Sequence, residues 1–464
     1  MRLRPKEIEI NQTNPFENDL LDRRDYIDNL LSLFNRVDES LTVSLSGKFG
    51  IGKTTLLRML KARAESEDFN FETIYFNAWK SDYLENPFSS IISEINRLIP
   101  QSNNFKDQLK ISSIRLLKVT VPAIIKAATL NMVDISQLSQ PLEDAISTIT
   151  STFAAQELEK HIQIRDSIND FKDKLTSATN VLKDEGKVIL LIIDELDRCK
   201  PTYAINILES IKHIFDVPNL NFLFALDYIQ LSNTIGHVYG RNYDIDGYLR
   251  RFFDLQFNIP QPEYNTYLDY LFEIYELDSI IESRRLKSQN RYDKDEFIYI
   301  VGFFSKQFKA TLRDLEKIIN IYTIVLAVTA DHRMIFPSIL AFIIIVKMFD
   351  LDIYEKLVGR ELTIEDIINY ILQSENGRAF LYSTNPLFGQ VFIAEMNFAL
   401  YNSEIDTNPY KYFDHILGDD NQDSDYKDLI RNIKDISQTY RSGISYDAII
   451  EYLEKKINFI EQLK

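Results

Sequence analysis

The sequence predicts an α/β domain: a parallel sheet with helices on both faces, a helical insertion within it, and a helical C-terminal lid region after it. Three observations predict this. Five short β-type segments alternate with helical patterns as far as Pro260. One of them, Lys187–Ile193 (KVILLII), is continuously apolar after its lysine, as a strand buried on both faces must be. Beyond Pro260 the strand signals fade and apolar residues recur at helical spacing.

The elements follow in order. Met1–Gln12 is polar and reads as extended, and Asn14-Pro15 is a turn signal. From Asp22 to Phe34, the residues Tyr26, Ile27, Leu30, Leu31 and Phe34 share one helical face. Residues 1–40 are read as an N-terminal extension with this leading helix, 41–260 as the sheet domain and 261–464 as the helical region. Strands are expected at Leu41–Ser46, Phe71–Phe76, Lys187–Ile193, Asn221–Leu226 and Asp254–Ile259. The segment between the second and third, about residues 89–185, is too long for one crossover and must hold extra helices. Within it, Leu142–Leu182 carries Ile168, Phe171 and Leu175 at helical spacing; it reads as an insertion followed by the helix that feeds the third strand. Further helices are expected at Tyr264–Leu277, Lys294–Phe308, Arg313–Val328, Pro337–Asp350, Thr363–Leu372 and Tyr446–Leu463, with Asn402–Asp428 acidic and turn-rich.

Composition narrows the functional classes. The 464 residues include 69 acidic and 52 basic ones, a net charge of -17. That argues against a chain-wide grip on nucleic acid, which is mostly a Lys/Arg effect, and leaves only a local basic groove open. One Cys and five His exclude a disulfide framework and most zinc sites, and fit a reducing, cytoplasmic setting. Met1–Asn11 lacks the apolar core of a signal peptide. Lys118, Pro122 and Lys126 interrupt Arg115–Met132, and Ile318–Ala330 and Met334–Val346 are each shorter than the roughly 20 residues of a spanning helix. The last two read as buried helices. Asp419–Asp425 has calcium-loop spacing but lacks the glycine and closing glutamate, so it reads as a solvated acidic loop.

The chemistry concentrates in two segments. Gly47-Lys48-Phe49-Gly50-Ile51-Gly52-Lys53-Thr54, followed by Thr55, fits G-x-x-x-x-G-K-[ST] between a strand and a helix. Glycines let the backbone wrap a phosphate with its N–H groups, and the following helix presents its positive end there. Lys53 is suited to neutralise the β- and γ-phosphates of ATP, and Thr54 to ligate Mg²⁺. The second segment, Ile192-Ile193-Asp194-Glu195-Leu196-Asp197-Arg198, closes the most apolar strand. Asp194 is placed to hold Mg²⁺ and Glu195 to act as general base on the attacking water. Asp227, after the fourth strand, is either a γ-phosphate sensor or a strand-ending turn residue. Arg250 and Arg251, before the fifth strand, are finger candidates for a neighbouring subunit's nucleotide, or surface ion-pair residues. Arg313 could close over the nucleotide from the helical region or lie at the surface. Cys199 has no histidine partner and is expected to pack behind the acidic strand.

Asp194-Glu195-Leu196-Asp197-Arg198-Cys199-Lys200-Pro201 resembles the D-[DE]-L-D-R-C-x-P signature of the KAP family of P-loop NTPases. Phe76-Asn77-Ala78-Trp79, with Asn86-Pro87 following, resembles that family's F-N-A-W segment. Thr311-Leu312-Arg313-Asp314-Leu315 resembles its late N-P-R-x-[IL] motif, with Thr-Leu in place of Asn-Pro. The resemblance spans Asn14 to Asp350. It implies an ASCE-type core with strand order 5-1-4-3-2, an insertion after the second strand and a helical lid. It also implies nucleotide and metal roles for Gly52, Lys53, Thr54 and Asp194, and catalysis by Glu195. The chain resembles the branch without membrane helices. Bacterial members of that branch often accompany defence against phage or mobile DNA. Trp79 is expected to pack under the insertion, and Asn77 to orient a water.

These readings converge on an ATPase whose hydrolysis switches a conformation or an assembly, with a protein partner or homo-oligomer. Adenine is favoured over guanine because no N-K-x-D guanine reader follows. Two alternatives stand beside it. One is a nucleotide-gated interaction module with little turnover. The other is a DNA-handling ATPase resembling origin-recognition proteins, which needs a basic winged-helix end that Tyr412–Lys464 does not show.

Overall fold

The computed structural model describes residues 9–83, 87–98, 107–117, 143–240, 243–261, 263–284, 293–330, 335–383, 387–401, 408–440 and 449–462. The chain divides into two compact units, one of Ile8–Pro260 and one that includes Gln261–Lys464.

The first unit opens with α1 (Arg24–Arg36), whose residues Ile27, Leu30, Leu31 and Phe34 are buried. It starts later than the apolar spacing alone suggests because Asp22 sits in the left-handed region (φ 50°). Then come β1 (Thr42–Ser46), α2 (Lys53–Ala64), β2 (Phe71–Asn77), α3 (Ala78–Ser81), α4 (Pro87–Leu98), α5 (107–117) and α6 (Glu143–Asp184). After these follow β3 (Val188–Asp194), a 3₁₀ turn Leu196–Arg198, α7 (Pro201–Ser210), β4 (Leu220–Leu226), α8 (Tyr228–Tyr239), α9 (Ile245–Leu249) and β5 (Leu255–Asn258). The five strands form a parallel sheet in the order β2-β3-β4-β1-β5. β3 and β4 lie inside it, and every residue of β4 is buried, which is why both segments are mostly apolar, with Asn221 and the terminal Asp194 as their polar residues.

Register aligns the carboxyl ends of the strands. Ser46 pairs with Leu226, Asp194 with Ala225, and Asn77 with Asp194. The loops leaving β1, β2, β3 and β4 therefore meet along one edge, where ligands bind in open α/β sheets. α1 and α2 pack on one face with Val43, Leu45, Ile192 and Leu223. α4, α6 and α7 cover the other. There Phe88, Phe171 and Phe215 form a ring cluster with centroids 5.4–5.8 Å apart, which pins the insertion to the sheet. α6 is one continuous helix of 42 residues, about 63 Å long, rather than an insertion followed by a separate helix. Leu175, Ala178 and Leu182 keep its apolar stripe running into the crossover. Beyond residue 117, the stretch Arg115–Met132 lies outside the described residues.

The second unit is helical: α10 (Tyr264–Ile274), α11 (Leu277–Arg284), α12 (Asp293–Phe308), α13 (Leu312–Val328), α14 (Pro337–Phe349) and α15 (Leu351–Val358). It continues with α16 (Ile364–Leu372), α17 (Gly377–Tyr382), α18 (Phe388–Leu400), α19 (Lys411–Gly418), α20 (Ser424–Tyr440) and α21 (Ile449–Gln462). α14 and α18 are buried almost all round. Phe342 joins them to their neighbours through rings of Phe304 and Phe392, each 5.3 Å away. Part of the turn-rich expectation for Asn402–Asp428 is corrected: α19 and the start of α20 lie there. In the acidic loop between them, Asp423 accepts a hydrogen bond from Tyr426 N (3.3 Å). Thr311 is the N-cap of α13 in a capping box with Asp314, so Thr-Leu supplies the helix start that Asn-Pro would. Among the described residues no helix is long and apolar enough to cross a membrane.

Candidate nucleotide site

The loop between β1 and α2 is built for close approach. Gly50 and Gly52 take φ of 86° and 85°, which a side chain resists, and Gly52 is the N-cap of α2. A Cβ on Gly47 would stand 2.9 Å from Ile51 and 3.1 Å from Ile259. Ile51 is buried as the loop's apolar anchor, whereas Lys48 and Phe49 are exposed. Lys53 and Thr54 open α2, and Thr55, partly buried, follows them.

The loop is also held from behind. Arg23, only 5% exposed, donates from Nη1 to Gly52 O (2.9 Å) and from Nη2 to Ile51 O (2.8 Å). Tying these carbonyls back turns the peptide N–H groups toward the phosphate seat. Nothing in the sequence pattern singles Arg23 out: it falls in the first turn of the expected leading helix and reads as a surface charge. Arg23→Ala is expected to weaken ATP binding about tenfold, measured by calorimetry, because two charge-assisted hydrogen bonds are lost. Unchanged affinity would show that the loop holds its shape without them.

The acidic segment meets the loop directly. Thr54 Oγ1 donates to Asp194 Oδ2 (3.1 Å), and Tyr75 OH donates to the same oxygen (2.6 Å). Glu195 N donates to Asp194 Oδ1 (2.9 Å). Asp194 is 1% exposed, and burial pushes its carboxyl above the ordinary range against the pull of those hydrogen bonds. Lys53 Nζ donates to Gly47 O (2.6 Å) and lies 4.0 Å from Asp197 Oδ2. Burial lowers the Lys53 pKa, and Asp197, Asp227 and Asp194 oppose that shift. Asp197 is itself raised by burial, and its Oδ1 is buried without a hydrogen-bond partner.

Glu195 stands beyond Asp194 in a left-handed conformation (φ 62°), a strained position for a side-chain-bearing residue. Its carboxylate is engaged on both oxygens. Asn77 Nδ2 donates to Oε2 (2.8 Å), and Arg198 Nη1 forms an ion pair with Oε1 (2.7 Å). Asn77 thus acts on the carboxylate itself. Trp79 is not packed under the insertion. It is 52% exposed, and its ring lies 5.4 Å from the Arg198 guanidinium, where a cation offers it contact that the insertion helices do not. Tyr75 and Asn77 share one face of β2 by the period-two alternation, the signal that could have linked them to the site. Cys199 is buried behind the segment, and burial raises its thiol to about 12.

The remaining candidates scatter. Asp227 caps α8 by accepting from Gln230 N (3.2 Å), and it also faces Lys53 electrostatically. Arg250 and Arg251 are exposed and precede Asp254, which pairs with Thr42 at the start of β1. That is the amino end of the strands, opposite the phosphate loop. Arg313 is exposed in the first turn of α13, in the second unit.

A glycine loop capping the helix behind β1, joined by hydrogen bond to an acidic pair that closes β3 of a parallel sheet, defines a P-loop NTPase, a nucleotide-binding domain. The chain belongs to the KAP family: the model of the KAP family P-loop domain matches residues 23–329. No curated protein matches the chain. Among solved structures it is similar to the Aeropyrum pernix ORC2 protein in its ADPNP–ADP complexes, at 13% identity over 94% of each chain and a TM-score of 0.34. It is also similar to C. elegans PCH-2, at 14% identity over 71% of this chain and 68% of that one, TM-score 0.30. At these scores the likenesses carry no functional argument.

Proposed function

We propose that the protein binds Mg-ATP and hydrolyses it to switch a conformation or an assembly. The observation that carries this reading is the 3.1 Å contact between Thr54 and Asp194, beside Lys53. Two hard oxygen donors adjoin there, and one is a buried carboxylate whose charge burial disfavours, which suits a small divalent cation. Thr54 and Asp194 would hold Mg²⁺, which would balance phosphate charge. The backbone of Gly47–Gly52 and the N-terminus of α2 would cradle the phosphates, and Lys53 would exchange Gly47 O for a phosphate oxygen. Glu195 would take the proton from water once one of its own partners lets go. A role in defence rests on the resemblance to bacterial KAP members alone.

One observation favours slow basal turnover: Asn77 and Arg198 occupy both oxygens of Glu195, and one must yield before the carboxylate can take a proton from water. Calorimetry of the full chain with Mg-ATP, and phosphate release at steady state, test the proposal. Saturable heat with release above the metal-free control supports it. No heat sinks it, and heat without release leaves the nucleotide-gated module as the better reading.

A further inference from the structure

Arg198 joins three parts of the site. Its Nη1 is ion-paired with Glu195 Oε1 (2.7 Å), its guanidinium lies 4.4 Å from the ring of Phe49, and the ring of Trp79 is 5.4 Å away. Phe49 belongs to the phosphate loop, Trp79 follows β2 and Arg198 closes the turn after β3, so one cation bridges all three segments. We propose that Arg198 trades partners during the cycle: it pairs with Glu195 until a triphosphate arrives and then passes its guanidinium to the terminal phosphate, freeing Oε1 of the carboxylate while Asn77 keeps hold of Oε2.

The geometry permits the exchange. The contacts with Phe49 and Trp79 are cation–π contacts, and the guanidinium carries five N–H donors with which to meet an anion. The side chain is about one-third exposed (31%), so an incoming anion can reach it. The terminal phosphate carries more charge and more acceptor oxygens than one carboxylate, and it offers the bidentate geometry that a guanidinium prefers. Arg198 is also tethered three residues from Glu195, with Arg198 N donating to Glu195 O (3.2 Å), so the movement required is a side-chain rotation. Phe49 would move with the loop as phosphate enters, carrying one wall of the stack with it.

This inference rests on the ATPase reading, and its test separates the two. Trp79 is the single tryptophan, so intrinsic emission reads the stack directly. A non-hydrolysable triphosphate analogue with Mg²⁺ is expected to change the emission of the full-length protein, whereas Mg-ADP leaves it near the nucleotide-free value. Arg198→Ala is expected to abolish that response and lower kcat at least about tenfold, with Mg-ATP affinity within about threefold of wild type. Arg198→Lys, which keeps charge without the planar fork, should recover only part of kcat. Equal responses to the triphosphate analogue and to ADP overturn the exchange, and so does an Arg198→Ala protein that hydrolyses at the wild-type rate. Wild-type protein that releases no phosphate overturns the hydrolytic reading instead, and the Trp79 response then decides the Arg198 exchange alone.

Discussion

Glu195→Gln is expected to lower kcat by about 10²–10⁴-fold, the usual worth of a positioned general base, while Mg-ATP still binds. The reason lies in the division of labour between neighbouring carboxylates. Asp194 is held by Thr54, Tyr75 and the Glu195 backbone, on the side of the phosphate loop, where the proposed Mg²⁺ would sit. The left-handed turn at Glu195 throws the next carboxylate the other way, toward Asn77 and Arg198. A glutamine there keeps the shape and can still accept from Asn77, but it cannot take a proton. Binding and turnover should therefore separate in this variant. In Asp194→Asn they should fall together, because metal and phosphate contacts go with the charge. Calorimetry against phosphate release makes the comparison. A Glu195→Gln protein that retains more than about a tenth of wild-type kcat would remove Glu195 from the chemistry and make any hydrolysis a property of the bound metal and loop alone.

The parts of this molecule that were legible in its sequence are those where local pattern and final environment agree. β3 and β4 are apolar but for Asn221 and the closing Asp194 because both faces are covered, and their segments read as strands without tertiary information. The glycine loop is legible because backbone wrapping demands those residue types at that spacing. α18 was not: a helix buried on nearly every side has no polar face, so its apolar residues show no helical period. The residues that brace the site were hidden for another reason. Arg23 acts on the loop carbonyls of Ile51 and Gly52, and Arg198 reaches the rings of Phe49 and Trp79, across distances of chain that no periodicity encodes. Trp79 shows the limit plainly. An apolar ring in a mostly apolar segment reads as packing, and only the position of the Arg198 cation gives it a reason to stay exposed. The left-handed turn at Glu195 is equally silent, since nothing in Asp-Glu-Leu-Asp announces it.

In the helical unit the largest effect is expected from replacing a carboxyl that burial forces to keep its proton: Glu296→Gln should stabilise the protein at pH 8 by roughly 2 kcal/mol, raising Tm by about 5 °C. Glu296 and Glu395 are each 3% exposed, on α12 and α18, and lie close enough to repel one another. Ser338 on α14 donates to Glu395, whereas Oε2 of Glu296 is buried without a partner. Desolvation raises both carboxyls, and the negative field of Asp293 adds to each, with Asp295 acting further on Glu296. The sign follows from linkage. A carboxyl whose folded pKa is raised keeps its proton in the native state after the unfolded chain has lost its own. Its contribution is whole below the unfolded value near 4.5, and it is lost as pH climbs through the folded value. Wild type should therefore lose stability steadily from about pH 5 into the alkaline range, and Glu296→Gln should flatten that decline, the two proteins converging toward pH 5. Thermal unfolding across that range measures the difference. Parallel curves at every pH would mean that Glu296 reaches water or a cation in solution, and that its burial costs the fold nothing.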